Sequence, residues 1–123
     1  MNKKQKGNMA EFMARLLLRL KGYHIISKNY VTGRGFGCGE IDIIASKRHT
    51  IVFIEVKDRC SITDALYAIK PMQQKRIIKA AELYLARHHI YQGFDVRFDA
   101  VFVSGFKIRH IQNAFNGDVV NDI

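Results

Sequence analysis

Two apolar runs, each with a carboxylate set in its middle, constrain this chain more than anything else in it. Gly39-Glu40-Ile41-Asp42-Ile43-Ile44-Ala45 and Ile51-Val52-Phe53-Ile54-Glu55-Val56-Lys57 have the β-branched, apolar character of strands, with a short polar turn between them. Both are apolar enough to be buried on two faces, and a buried carboxylate needs compensation. A hairpin turning at Arg48-His49 sets Asp42 directly opposite Glu55. Opposed side chains share a face, with Cβ atoms ~5 Å apart. Two like charges at that separation repel by roughly 3 kcal/mol at an effective dielectric of about 20. A divalent cation converts the repulsion into a binding site.

Lys57, two residues beyond Glu55, points to the same face. Oxygen ligands suit Mg²⁺ or Mn²⁺, and a hard cation with one or two carboxylates keeps coordination sites for water and phosphate. The Lys57 ammonium can steady developing negative charge or help deprotonate a water. This chemistry fits phosphodiester hydrolysis. Plainer readings stay open: a cross-strand salt bridge of Lys57 with Glu40, and an Asp42 satisfied by an arginine or by backbone donors. A register slip of one residue would separate the two acids.

At 123 residues the chain is large enough for one domain with a core that needs no disulfide or structural metal. A basic N-terminal tail (residues 1–7) precedes the folded part (8–123). It leads into an amphipathic helix, not a continuous apolar segment, so a signal peptide is not expected. No apolar run is long enough to span a bilayer, and a cytoplasmic protein is expected. The net charge of +9 and the pI near 9.8 call for a polyanionic partner. Without Lys3, Lys4 and Lys6 the charge is still +6, so the body of the domain is basic too. Nucleic acid fits better than an anionic membrane, because no helix pairs a basic face with large aromatic anchors. Cys38 and Cys60 lack the partners of a zinc site, and a cytosolic protein keeps such thiols reduced.

The remaining elements follow from periodicity. Met9, Phe12, Met13, Leu16, Leu17 and Leu20 predict a helix over 8–21, capped by Asn8 and stopped by Gly22. Glu11 forms an i, i+4 ladder with Arg15 and Arg19 and can be read as a solvated acid. A strand over 23–31 precedes a glycine-rich loop carrying Arg34. Beyond Lys57, Thr63 or Asp64 can cap a short helical turn. Pro71 opens a second helix to about His88 with Ile77, Ile78, Ala81, Tyr84, Leu85 and His88 as its apolar stripe. Gln74 begins that stripe, pointing into a site or capping the helix end. Residues 96–104 and 107–111 complete the order αβββαββ, a single α/β domain with a central mixed sheet flanked by helices. Asp99, another acid in apolar surroundings, invites a salt bridge to Arg97 or to a neighbouring strand.

Helix, strands bearing Gly-Glu-Ile-Asp and Glu-Val-Lys, then helix and strand: this pattern resembles the core of the PD-(D/E)XK nuclease superfamily. More narrowly the chain resembles the YraN-like family of small bacterial proteins, related to archaeal Holliday-junction resolvases. Gly22-Tyr23, Gln74, Arg76, Arg97-Phe98-Asp99 and Ile111-Gln112-Asn113-Ala114-Phe115 extend the likeness over nearly the whole chain. Ile41 stands where the superfamily name has proline, Met72 and Gln73 where relatives often carry basic residues, and Asp58 where a small hydroxyl is usual. The resemblance implies a restriction-endonuclease-like fold, with Asp42, Glu55 and the Val56 carbonyl as metal ligands. It also implies Lys57 as the charge-stabilising residue, and Glu11 and Gln74 as further polar groups of the site. The implied activity is a Mg²⁺- or Mn²⁺-dependent endonuclease on DNA, branched DNA included, for which a homodimer would supply two active sites. Arg34, Lys75, Arg76 and Lys79 are candidate nucleic-acid contacts, with DNA preferred over RNA. The alternative is a non-catalytic nucleic-acid-binding module on the same scaffold.

Overall fold

A computed structural model describes residues 1–31, 39–58 and 69–116. The glycine-rich loop with Arg34 and Cys38, the segment with Cys60, Thr63 and Asp64, and the last seven residues lie outside the described residues. Helix α1 (Lys3–Leu20) leads through Gly22 into strands β1 (His24–Val31), β2 (Glu40–Lys47) and β3 (Thr50–Asp58). Helix α2 (Pro71–Arg87), a 3-10 turn at His89–Tyr91, and strands β4 (Asp95–Ser104) and β5 (Lys107–Phe115) follow. The order αβββαββ is the expected one.

The five strands form one sheet in sequence order; only the β3–β4 pair is parallel, joined by the crossover through α2. The β2–β3 hairpin turns at Arg48-His49, with Lys47 opposite Thr50 and Ile43 opposite Ile54. Alternation then divides the apolar residues between two layers. Val52, Ile54 and Val56 pack with Ala10, Ala14 and Leu18 of α1. Ile51 and Phe53 pack with Ile77, Ala80, Ala81 and Tyr84 of α2. The sheet is thus covered on both faces, which is what near-continuous apolar strands require.

Three expectations need correction. Helix α1 begins five residues early, because Asn2 and Gln5 form a reciprocal capping box across Lys3 and Lys4; Asn8 is therefore an internal helical residue. Its buried line is Ala10, Ala14 and Leu18, whereas Phe12 and Leu16 are about half exposed, at 53% and 48%, and Leu20 is exposed at 78%. Small residues let a helix axis approach a sheet closely, so the alanines, not the bulkier stripe, meet β3. Strand β5 runs to Phe115, four residues past the expected end. Its extension contains a bulge opposite Asp99, with Asn113 at φ 55°.

That bulge serves the buried Asp99. Its Oδ1 accepts from Arg97 Nε at 2.8 Å and the Asn113 N–H at 2.9 Å. Oδ2 accepts from Arg97 at 2.9 Å and His110 Nε2 at 2.7 Å. Both expected partners, Arg97 and the neighbouring strand, are present. Burial alone would raise the Asp99 carboxyl, but His110, Arg97 and the Asn113 amide hold it below its ordinary value. Asp99 anchors the α1 side of the sheet through the Arg97 bond to the Tyr23 hydroxyl.

Candidate active site

Asp42 and Glu55 meet where the β2–β3 ladder ends. Beyond the Ile43–Ile54 pair the next backbone rung is replaced by a side chain: the Val56 N–H donates to Asp42 Oδ2 at 2.8 Å. Glu55, in the central strand and 5% exposed, lies close enough to Asp42 for its charge to act on it. Burial first, then the Glu55 charge, pushes the Asp42 carboxyl up to about 8, despite the Val56 bond. Burial likewise raises Glu55, against the opposing pull of Lys57. Without a cation the pair holds a proton that two separated carboxyls would have released.

Lys57 lies against this pair. Its Nζ is 3.5 Å from Glu55 Oε1, so the ion pair that forms is with Glu55 and not the cross-strand one with Glu40. Glu11 reaches the same region from α1 and is half-buried. Its carboxyl is raised by burial and by the nearby Asp42 and Glu40, which Arg15 offsets only in part. With its amide nitrogen turned toward the acids, Asn29 of β1 bridges Glu11 Oε1 at 2.6 Å and Glu40 Oε1 at 3.0 Å. Asn29 adopts the left-handed φ of 53° that asparagine tolerates better than most residues. Glu11 therefore belongs to an acidic group and is not the solvated end of an arginine ladder.

The two glutamines that open α2 divide differently from expectation. Gln74 donates to the Ile69 carbonyl at 3.0 Å and ties down the helix start, the capping alternative. Gln73 donates to Glu55 Oε1 at 3.0 Å. The buried stripe of Ile77, Ile78, Ala80, Ala81 and Tyr84, continued back one turn, lands on positions 73 and 74 alike, so helical phase alone does not choose between them. Glu40 lay in reach of sequence reasoning, two residues before Asp42 on the same strand. Asn29 did not, because only the β1–β2 pairing brings it there.

Glu40, Asp42, Glu55 and Gln73 border a cleft of about 420 Å³ completed by Gly39, Lys70, Met72, Arg76 and Ile77. One wall is acidic and comes from β2 and β3; the other carries Lys70 and Arg76 from the start of α2. Lys75 and Lys79 are not among the described lining residues, and Arg34 lies outside the described ones. A Cβ on Gly39 would stand 3.2 Å from that of Arg76, and the Gly39 N–H donates to the Arg76 carbonyl at 3.4 Å. Glycine at this point lets the two walls touch.

A buried and a part-buried carboxylate that repel one another are a donor set that fits a hard divalent cation, which usually takes one or two carboxylates and completes its shell with water and phosphate. Asp42 and Glu55 would hold it. Among the described residues no group of three His, Cys, Asp or Glu side chains is placed to hold a metal ion, so the site offers a pair and not a closed cage. Among the described residues no helix is long and apolar enough to cross a membrane.

The model of the uncharacterised protein family UPF0102 matches residues 10–103. A UPF0102 protein of Paramagnetospirillum magneticum is 41% identical over 115 residues, covering 93% of this chain and 89% of that protein. One from Bradyrhizobium diazoefficiens is 45% identical over 111 residues, covering 89% and 80%. A third, from Rhodopseudomonas palustris strain HaA2, is 43% identical over 113 residues, covering 91% and 85%. The matched span includes both acidic strands, α2 and nearly all of β4, and the chain belongs to UPF0102, the YraN-like family.

Proposed function

We propose that this protein is a divalent-cation-dependent endonuclease that hydrolyses phosphodiester bonds in DNA. The observation that carries the reading is the facing pair of carboxylates, the buried Glu55 and the part-buried Asp42, with Lys57 3.5 Å from Glu55. A purely binding surface has no use for two acids crowded together at a desolvation penalty. Bound there, Mg²⁺ or Mn²⁺ supplies Lewis-acid stabilisation of a phosphate and a more acidic water. Lys57 places a positive charge beside the pair, where negative charge grows on the phosphate oxygens during hydrolysis. Lys70 and Arg76, across the cleft, hold the flanking backbone by phosphate contacts, which position a nucleic acid without reading its sequence. The net charge of +9 raises the local concentration of such a polyanion.

The test is cleavage of labelled single-stranded, duplex, flap and four-way-junction DNA in Mg²⁺ or Mn²⁺, by wild type, Glu55→Ala and Lys57→Ala. Cleavage by wild type alone is expected, with Lys57→Ala losing at least about 100-fold in rate while still retarding DNA on a gel. If all three bind DNA and none cuts, the chain is a binding module on a nuclease-like scaffold. Full cleavage by Lys57→Ala would remove that residue from the mechanism.

A further inference from the structure

Gln73 is the third residue of α2, and its amide reaches out of the helix to a single oxygen, Oε1 of Glu55, at 3.0 Å. The Lys57 ammonium approaches the same oxygen at 3.5 Å. That oxygen is therefore held from two sides, by α2 and by β3. Both ends of the Gln73–Glu55 strap are anchored. Glu55 belongs to the central strand, paired along its length with β4. The first turn of α2 is fixed to the sheet by the Gly39–Arg76 backbone contact and by Gln74 on the Ile69 carbonyl.

We propose that Gln73 is a positioning residue for the cation: it fixes the Glu55 carboxylate before the ion arrives. The inference rests on the metal reading of the Asp42–Glu55 pair. A glutamate side chain carries several rotatable bonds, and a ligand that must be frozen on binding weakens the complex by the entropy it loses. A hydrogen bond made in the folded protein moves that loss into folding. The choice of donor matters as much as its position. A neutral amide orients the carboxylate and leaves its charge available. Gln74 cannot substitute, because its amide is already engaged. Outer partners of metal ligands act in this way generally, and their loss weakens metal binding by about 10–100-fold.

The experiment is calorimetric titration of the full chain with Mn²⁺ alone, without nucleic acid. Wild type is compared with Gln73→Met and Gln73→Ala, and Asp42→Asn reports Mn²⁺ bound elsewhere. Met keeps the length and helix propensity of Gln but donates nothing. Both Gln73 variants should bind Mn²⁺ about 10–100-fold more weakly, with urea midpoints within error of wild type. Wild-type affinity in both variants would overturn the positioning role and leave the metal site standing. Weaker binding with a matching fall in midpoint would make Gln73 a structural strut and also overturn it. No Mn²⁺ binding by wild type would remove the metal reading itself.

Discussion

Asp42 and Asp99 are both aspartates set in apolar strands, and their partners give them opposite responses to pH. Asp42 faces another acid, and its carboxyl lies near 8 instead of near 4. Between those values the folded chain keeps a proton that the unfolded chain has released, so stability of the metal-free protein falls as pH rises through that window. In chelator, wild type should melt at a lower temperature at pH 8 than at pH 5, and Asp42→Asn should flatten the difference. A wild-type profile that is flat or rising over the window would refute the shared proton. Asp99 is surrounded by donors and held low, so its contribution is complete above its ordinary range and lost as the solution is acidified below it. Asp99→Ala strands the Arg97 and His110 side chains and should lower stability by about 3–5 kcal/mol, measured by urea denaturation at pH 7. A loss under 1 kcal/mol would mean that water replaces the carboxylate.

Among the elements, the β2–β3 hairpin was the most legible in the sequence and α1 the least. A period of two and a two-residue turn leave little freedom of register, and Asp42 comes opposite Glu55 because of it. A helix is less constraining. The apolar residues of α1 cover more than half its circumference, and side-chain bulk does not say which part meets the sheet. Ala10 and Ala14 decide it by permitting close approach. Leu18→Ala, at a fully buried position, should therefore lower stability by about 2–5 kcal/mol. Leu16→Ala, two residues away, should change it by no more than about 0.5 kcal/mol. Equal losses would mean that the outer face of α1 is packed in solution. The same ambiguity of phase separates Gln73 from Gln74: adjacent helical positions differ by 100°, and both stand one turn before a buried isoleucine. Contacts made only when β1 meets β2 and α1, such as Asn29 with Glu40 and Glu11, had no local signature at all.

Over the whole molecule, the basic character of the chain and its acidic site occupy different places. Glu11, Glu40, Asp42 and Glu55 gather at one end of the sheet, while lysines and arginines are spread over α1, α2 and the edge strands. Binding to DNA should accordingly weaken by at least about 10-fold between 50 and 200 mM salt. Arg76→Ala should make the log–log salt slope shallower by about 1, as read by fluorescence anisotropy in the absence of metal. An unchanged slope would take Arg76 off the phosphate path. The contact between Gly39 and Arg76 has a different kind of consequence. It joins main chain to main chain, so the cleft works as a calliper locked at one setting. Replacing Lys70, Met72 or Arg76 repaints its jaws without moving them. Members of this family could therefore drift in what they grip while the gauge of the opening stays constant, and Gly39 is the screw that would have to turn to reset it.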